Sequence, residues 1–135
     1  MKVVLSQPLP EPSSTDLLSA YVVVVGRPDA WAEEAVRHLT DADALVPTPR
    51  ERVTRELLER APRLRVVANC AVGTDNVDLE ACRRRGIVVT NTPGVLTEAT
   101  ADLTWLLILA VARRLREGDA LIRSGTWDGW KPMEL

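Results

Sequence analysis

Every residue from Trp105 to Ala112 is apolar, and a helix lying on the surface of a small domain does not look like that. Such a helix carries an apolar stripe on one side and polar residues on the other. Here Trp105, Leu106, Leu107, Ile108, Leu109 and Val111 point all around one cylinder. Burying each of them fully is worth roughly 1.5–3 kcal/mol, so together they rival the stability of a whole domain, about 5–15 kcal/mol. The predicted helix begins at Thr97 as N-cap, with Glu98 and Asp102 near its positive end. It demands cover from another domain, another subunit or both. Asp102 at one end and Arg113-Arg114 at the other leave it too short to span a membrane.

Ahead of that rod the chain alternates strand and helix. Lys2 to Ser6 is a short β-branched strand closed by Pro8 and Pro10. Thr15 is placed to cap a turn of helix reaching Leu18. Tyr21 to Val25 contains four valines in a row, a run without alternation that suits a parallel strand covered on both faces. Asp29 caps a predicted helix over Ala30 to Leu39, with Trp31, Ala35, Val36 and Leu39 inward and Glu33, Glu34 and Arg37 outward. Ala44 to Val46 is a third strand, ended by Pro47-Thr48-Pro49. A helix over Arg52 to Ala61 stops at Pro62, and Leu64 to Ala68 is the fourth strand. Asp78 caps a helix over Leu79 to Arg85, ended by Arg83-Arg84-Arg85 and Gly86, and Ile87 to Thr90 is the fifth strand. Five strands alternating with helices predict a doubly wound, mostly parallel α/β sheet with right-handed crossovers.

Totals exclude more than they assign. A chain of 135 residues, 46% hydrophobic and 27% charged, folds as one globular domain with or without an appendage. Net charge of −2 argues against a nucleic-acid surface. Lysine occurs only at Lys2 and Lys131, and the arginines read as solvated helix faces rather than as phosphate clamps. Cys70 and Cys82 lack metal-type spacing and read as free thiols of a reducing cytoplasm. The apolar run at the N-terminus is too short for a signal peptide. His38, the single histidine, lies near a helix C-terminus where the dipole favours it, with no catalytic partner close in sequence.

Chemistry concentrates in two strand-end turns, Ala71-Val72-Gly73-Thr74-Asp75-Asn76-Val77-Asp78 and Thr90-Asn91-Thr92-Pro93-Gly94. A glycine turn after a strand can present backbone N–H groups to an anion, although a plain turn has the same composition. These segments, with Arg85 to Leu103 and the tail Arg123-Ser124-Gly125-Thr126-Trp127 and Trp130-Lys131-Pro132, resemble the D-isomer-specific 2-hydroxyacid dehydrogenases of the glyoxylate/hydroxypyruvate reductase kind. The resemblance is close over about half the chain.

The resemblance implies a flavodoxin-like substrate domain over residues 1–95. It implies that residues 96–135 are a linking and dimerisation helix and arm, leading to a nucleotide-binding domain that this sequence does not contain. It implies that the Val72 and Gly73 amides hold a substrate carboxylate, that Asn69 and Thr48 face the same cleft, and that Thr104 lies near the cofactor. Trp105 to Ala112 and the Trp127/Trp130 arm would meet a second subunit or the missing domain. The cofactor would be NAD or NADP, with the choice between them set by residues beyond this sequence.

The departures from the family pattern are as informative. No glycine-rich strand–turn–helix fingerprint is present, and Gly26 and Gly73 do not open its spacing. The family's catalytic Arg, its acidic partner and its proton-donating His are also missing, so no catalytic residue is assigned. Two expectations follow. The first is the N-terminal part of a reductase of small 2-oxo acids, catalytically incomplete by itself. The second is a non-catalytic module that holds a small anion or docks through its long helix.

Overall fold

The computed structural model describes residues 1–9, 18–26, 31 and 37–132. The cap at Thr15, the cap at Asp29 and the inward positions Ala35 and Val36 lie outside the described residues. The chain divides into two compact units, Met1–Gly94 and Val95–Leu135.

The first unit is built on a parallel sheet of five strands: β1 (Lys2–Leu5), β2 (Val22–Val25), β3 (Ala44–Val46), β4 (Val66–Ala68) and β5 (Val88–Thr90). Their order across the sheet is β2-β1-β3-β4-β5, the flavodoxin-like arrangement. In β1 the two-residue period sends Val4 into one apolar cluster with Leu45, Val53, Leu58 and Val67, and sends Val3 and Leu5 into another with Ala44. Both faces of the inner strands are therefore covered, as parallel sheets require.

The valine run is less covered than its composition suggested. β2 is an edge strand that pairs only with β1, and Val22 remains 64% exposed. An unbroken apolar run reports apolar neighbours but not the order of strands.

Helix α1 (Arg55–Glu59) starts later than the sequence pattern suggested. Thr54 is its N-cap, with Oγ1 accepting from the Leu57 N–H at 3.3 Å. Val53 is drawn instead into a parallel bridge with Val77, through Val53 N–H to Asn76 O at 2.8 Å and Asp78 N–H to Val53 O at 2.9 Å. Helix α2 (Leu79–Arg84) is capped by Asp78, which accepts the Ala81 N–H at 2.8 Å. Gly86, at φ 65°, takes the chain out of α2 into β5. Arg85 does more than end a helix: its guanidinium donates to Ala61 O at 2.7 Å and to Leu58 O, satisfying carbonyls at the C-terminal end of α1.

The second unit holds α3 (Thr97–Ala112) and α4 (Leu115–Arg123). Thr97 is the first helical residue rather than the cap; Leu96 occupies that position without a side-chain bond. No residue of α3 is buried, and Trp105 is 64% exposed. The chain breaks between α3 and α4 at Arg114, φ 51°, and Gly118 sits inside α4. A left-handed non-glycine residue costs about 1–2 kcal/mol; here the Arg114 guanidinium is tied to the Glu117 carboxylate, with Nε 3.1 Å from each oxygen. Gly125, at φ 70°, follows the last turn of α4 and makes the expected left-handed exit.

Candidate functional site

A parallel sheet puts all its strand C-termini on one edge, and ligands of open α/β sheets bind outside that edge, at the point where strand order reverses. In the order β2-β1-β3-β4-β5 the reversal lies between β1 and β3. Four segments converge on this edge: Ser6 after β1, 47–53 after β3, 69–77 after β4 and 91–94 after β5.

The loop after β4 is held from below by side-chain amides. Asn69 is 1% exposed. Its Nδ2 donates to Gly73 O and to Asn76 Oδ1, both at 2.9 Å. Asn76, also buried, returns a bond from Nδ2 to Asn69 Oδ1 at 3.0 Å. The same Nδ2 donates to Thr48 O at 3.1 Å and to Glu51 O at 3.2 Å, which anchors the β4 loop on the β3 loop. Buried amides need such partners, because an unsatisfied one costs about 1–3 kcal/mol.

From above, the loop is held by the segment after β5. Thr92 N–H donates to Ala71 O at 2.8 Å, and Asn91 Nδ2 donates to Val72 O at 2.8 Å. In a planar trans peptide the N–H points opposite to the C=O. The Ala71–Val72 and Val72–Gly73 peptides thus turn their carbonyls toward residues 91–92 and their N–H groups the other way. Neither the Val72 nor the Gly73 N–H has an acceptor among the described residues. Two adjacent, unpaired donors with a shared direction, at a strand end, can bind the two oxygens of a carboxylate.

Glu51, in the loop after β3, is charged yet only 4% exposed. Its Oε2 accepts from both the N–H and the hydroxyl of Thr48, each at 2.7 Å. Its own N–H donates to Thr48 O at 3.2 Å, closing a turn with Pro49 at the second position, where proline's fixed φ fits. Burial pushes the Glu51 carboxyl upward, but the hydroxyls of Thr48 and Ser6, the Thr48 N–H and the charge of Arg50 outweigh it and hold the group below the usual range. The Ser6 hydroxyl is fully buried and forms no hydrogen bond of ordinary geometry among the described residues.

The expected site residues thus fall into two kinds. Val72 and Gly73 offer free amides, and Val72 is 47% exposed. Thr48 and Asn69 are brought to the same place, but their side chains are spent on the network beneath the loop. Thr104 lies on α3, exposed, with its hydroxyl donated to Thr100 O at 2.7 Å. Cys70 is exposed beside the loop and Cys82 is buried; both are free thiols. Glu51, Asn76 and Asn91 went unassigned at the sequence level. Thr48-x-x-Glu51 has the spacing of a reciprocal capping pair and was the one readable signal among them.

Among the described residues, the turn after β4 does not suit a dinucleotide. Its pyrophosphate needs a glycine-rich turn opening a helix N-terminus. The helix that follows the Gly73 turn is α2, entered at Asp78, whose carboxylate occupies the Ala81 N–H. Among the described residues no cluster of His, Cys, Asp and Glu could hold a metal ion, and no helix is long and apolar enough to cross a membrane.

The family model for the D-isomer specific 2-hydroxyacid dehydrogenase catalytic domain matches residues 3–126. The chain is 46% identical to a glyoxylate reductase of Thermococcus gammatolerans over 143 aligned positions, which cover 98% of this chain and 41% of that protein. With a glyoxylate reductase of Thermococcus litoralis it shares 56% identity over 97 positions, 69% of this chain and 29% of the relative. The crystal structure of the TT0316 protein of Thermus thermophilus superposes with a TM-score of 0.87 at 46% identity, covering 99% of this chain and 44% of that one. The chain therefore spans about two fifths of the length of the T. gammatolerans relative. It belongs to the D-isomer specific 2-hydroxyacid dehydrogenases.

Proposed function

We propose that this chain supplies the substrate-binding part of a dehydrogenase that reduces a small 2-oxo acid of the glyoxylate or hydroxypyruvate type. The observation that carries the reading is the pair of unpaired N–H groups at Val72 and Gly73, both turned away from residues 91–92. They bind the substrate carboxylate and fix its orientation, while Asn69 and Thr48 act from beneath, by holding the loop. Residues 1–95 are the substrate domain in this reading. Residues 96–135 join it to a nucleotide-binding domain, with Thr104 facing that side.

The hydride would come from NAD or NADP in the whole protein, held by residues other than these. The proton donor and the group that polarises the oxo oxygen would likewise come from that domain. What this chain does is bind the acid and present it. The exposed apolar side chains of Trp105 to Ala112 and the Trp127/Trp130 arm support a contact with a second subunit or with that domain. Two free thiols suit a reducing cytoplasm.

A chimera tests the proposal. Residues 1–135 are fused to the nucleotide-binding part of the T. gammatolerans glyoxylate reductase, and loss of reduced nicotinamide is followed with glyoxylate present. Glyoxylate-dependent oxidation is expected. A folded chimera that binds the nicotinamide cofactor yet leaves glyoxylate unreduced would overturn the proposal.

A further inference from the structure

We infer that Glu51 is a positioning residue for the amide cradle: by gripping Thr48 it fixes the turn on which the Asn76–Asn69 pair rests, and through that pair the peptides of Val72 and Gly73. The inference deepens the proposed function and rests on reading those two amides as the carboxylate site.

The chain of contacts is continuous. Glu51 Oε2 binds both donors of Thr48 at 2.7 Å. That grip closes the turn so that Thr48 O and Glu51 O converge on a single donor, Asn76 Nδ2, at 3.1 and 3.2 Å. Asn76 then orients Asn69, and Asn69 draws Gly73 O inward at 2.9 Å. Four residues of this relay are buried: Thr48, Glu51, Asn69 and Asn76. Water is therefore a poor substitute for any lost partner. A carboxylate is the fitting head of the relay, because an ionised acceptor binds two donors more strongly than a neutral amide does. A buried acid that served only the stability of its own turn would not need the turn's carbonyls to be shared with a residue 25 positions away.

The test compares isotope-labelled wild-type chain with Glu51→Ala and Glu51→Gln by nuclear magnetic resonance, with glyoxylate as probe. In Glu51→Ala the side-chain amide signals of Asn69 and Asn76 are expected to move toward those of exposed asparagine. The backbone amides of Val72 and Gly73 should shift as well, and glyoxylate affinity should fall about tenfold. Glu51→Gln, which keeps one acceptor, should stay within about threefold of wild type. Leu64→Ala, a core truncation away from the relay, should lower the melting temperature and leave all four signals in place. Should Glu51→Ala fail to fold, Thr48→Val takes its place, since it removes the hydroxyl bond and keeps the backbone. Unmoved Asn69, Asn76, Val72 and Gly73 signals in a folded variant would overturn the inference. Failure of wild-type chain to respond to glyoxylate at Val72 and Gly73 would overturn the carboxylate reading instead, and the ligand-free signals would still decide the role of Glu51.

Discussion

Asn69 and Asn76 exchange side-chain amide bonds of 2.9 and 3.0 Å beneath the loop after β4, and both are almost wholly buried. Removing either leaves the partner's Oδ1 and one backbone carbonyl, Gly73 O or Glu51 O, without a donor. Asn76→Ala leaves Asn69 Oδ1 and Glu51 O without a donor, while Thr48 O keeps the Glu51 N–H and Asn69 Nδ2 keeps Gly73 O. Each buried group left alone costs about 1–3 kcal/mol, so the two together should cost about 3 kcal/mol. Urea denaturation measures it; a loss below about 1 kcal/mol would show the network to be dispensable.

Asn91 holds the loop from the other side and is exposed, so its effects should separate. Asn91→Ala removes the 2.8 Å bond to Val72 O. The stability cost should be about 0.5–1.5 kcal/mol, while calorimetric affinity for glyoxylate falls severalfold because the Gly73 N–H loses its fixed direction. Equal affinity in the variant would break the argument from peptide planarity.

Gly73 is not required by its backbone angle. A Cβ there would meet Asp75 Oδ1 at 2.8 Å, and Asp75 is an exposed side chain that can rotate. Gly73→Ala should therefore change stability by less than about 1 kcal/mol, and adding Asp75→Ala should remove whatever cost remains. A large loss in thermal denaturation that Asp75→Ala does not relieve would point to a different constraint.

Acid should weaken the first unit through Glu51. Its folded-state carboxyl is held below the ordinary 4.5 despite burial, by the Thr48 and Ser6 hydroxyls, the Thr48 N–H and Arg50. The unfolded chain then takes up the proton more readily. The stabilisation is present above about pH 4.5 and is lost as pH falls through the depressed value. Urea midpoints should stay level from about pH 7 to about pH 5 and then drop, and the drop should be shallower in Glu51→Gln. Identical profiles would remove Glu51 from the account.

Much of the fold could be read in the residues, because strand period, caps and stop signals are local. Asp78 was legible as the cap of α2, and Gly86 as its exit. The start of α1 was not, because Val53 is claimed by Val77, a residue 24 positions later that no local pattern announces. The exposure of β2 was not legible for a related reason: four valines suit a strand covered on both faces and say nothing about how many strands flank it. In the site, the Val72-Gly73 turn stood out by composition and resemblance. Its supports did not, since Asn91 reaches back 19 residues to Val72 O and Asn76 reaches back 25 to Glu51 O. Polar residues that meet only in three dimensions leave no periodicity.

The apolar helix carries its own prediction. Leu106, Ile108 and Leu109 are more than half exposed on α3. Sedimentation should find the chain associating as its concentration rises, and Leu109→Glu should lower that tendency. A chain that remains monomeric at high concentration would count against α3 as a subunit contact.

The central claim is that the Val72 and Gly73 amides grip a carboxylate, and a crystal structure of this chain with glyoxylate tests it most directly. The account predicts both carboxylate oxygens within about 3 Å of the Val72 and Gly73 nitrogens, with Val72 O still bonded to Asn91. Glyoxylate seated on surface arginines, with those two N–H groups left to water, would contradict it.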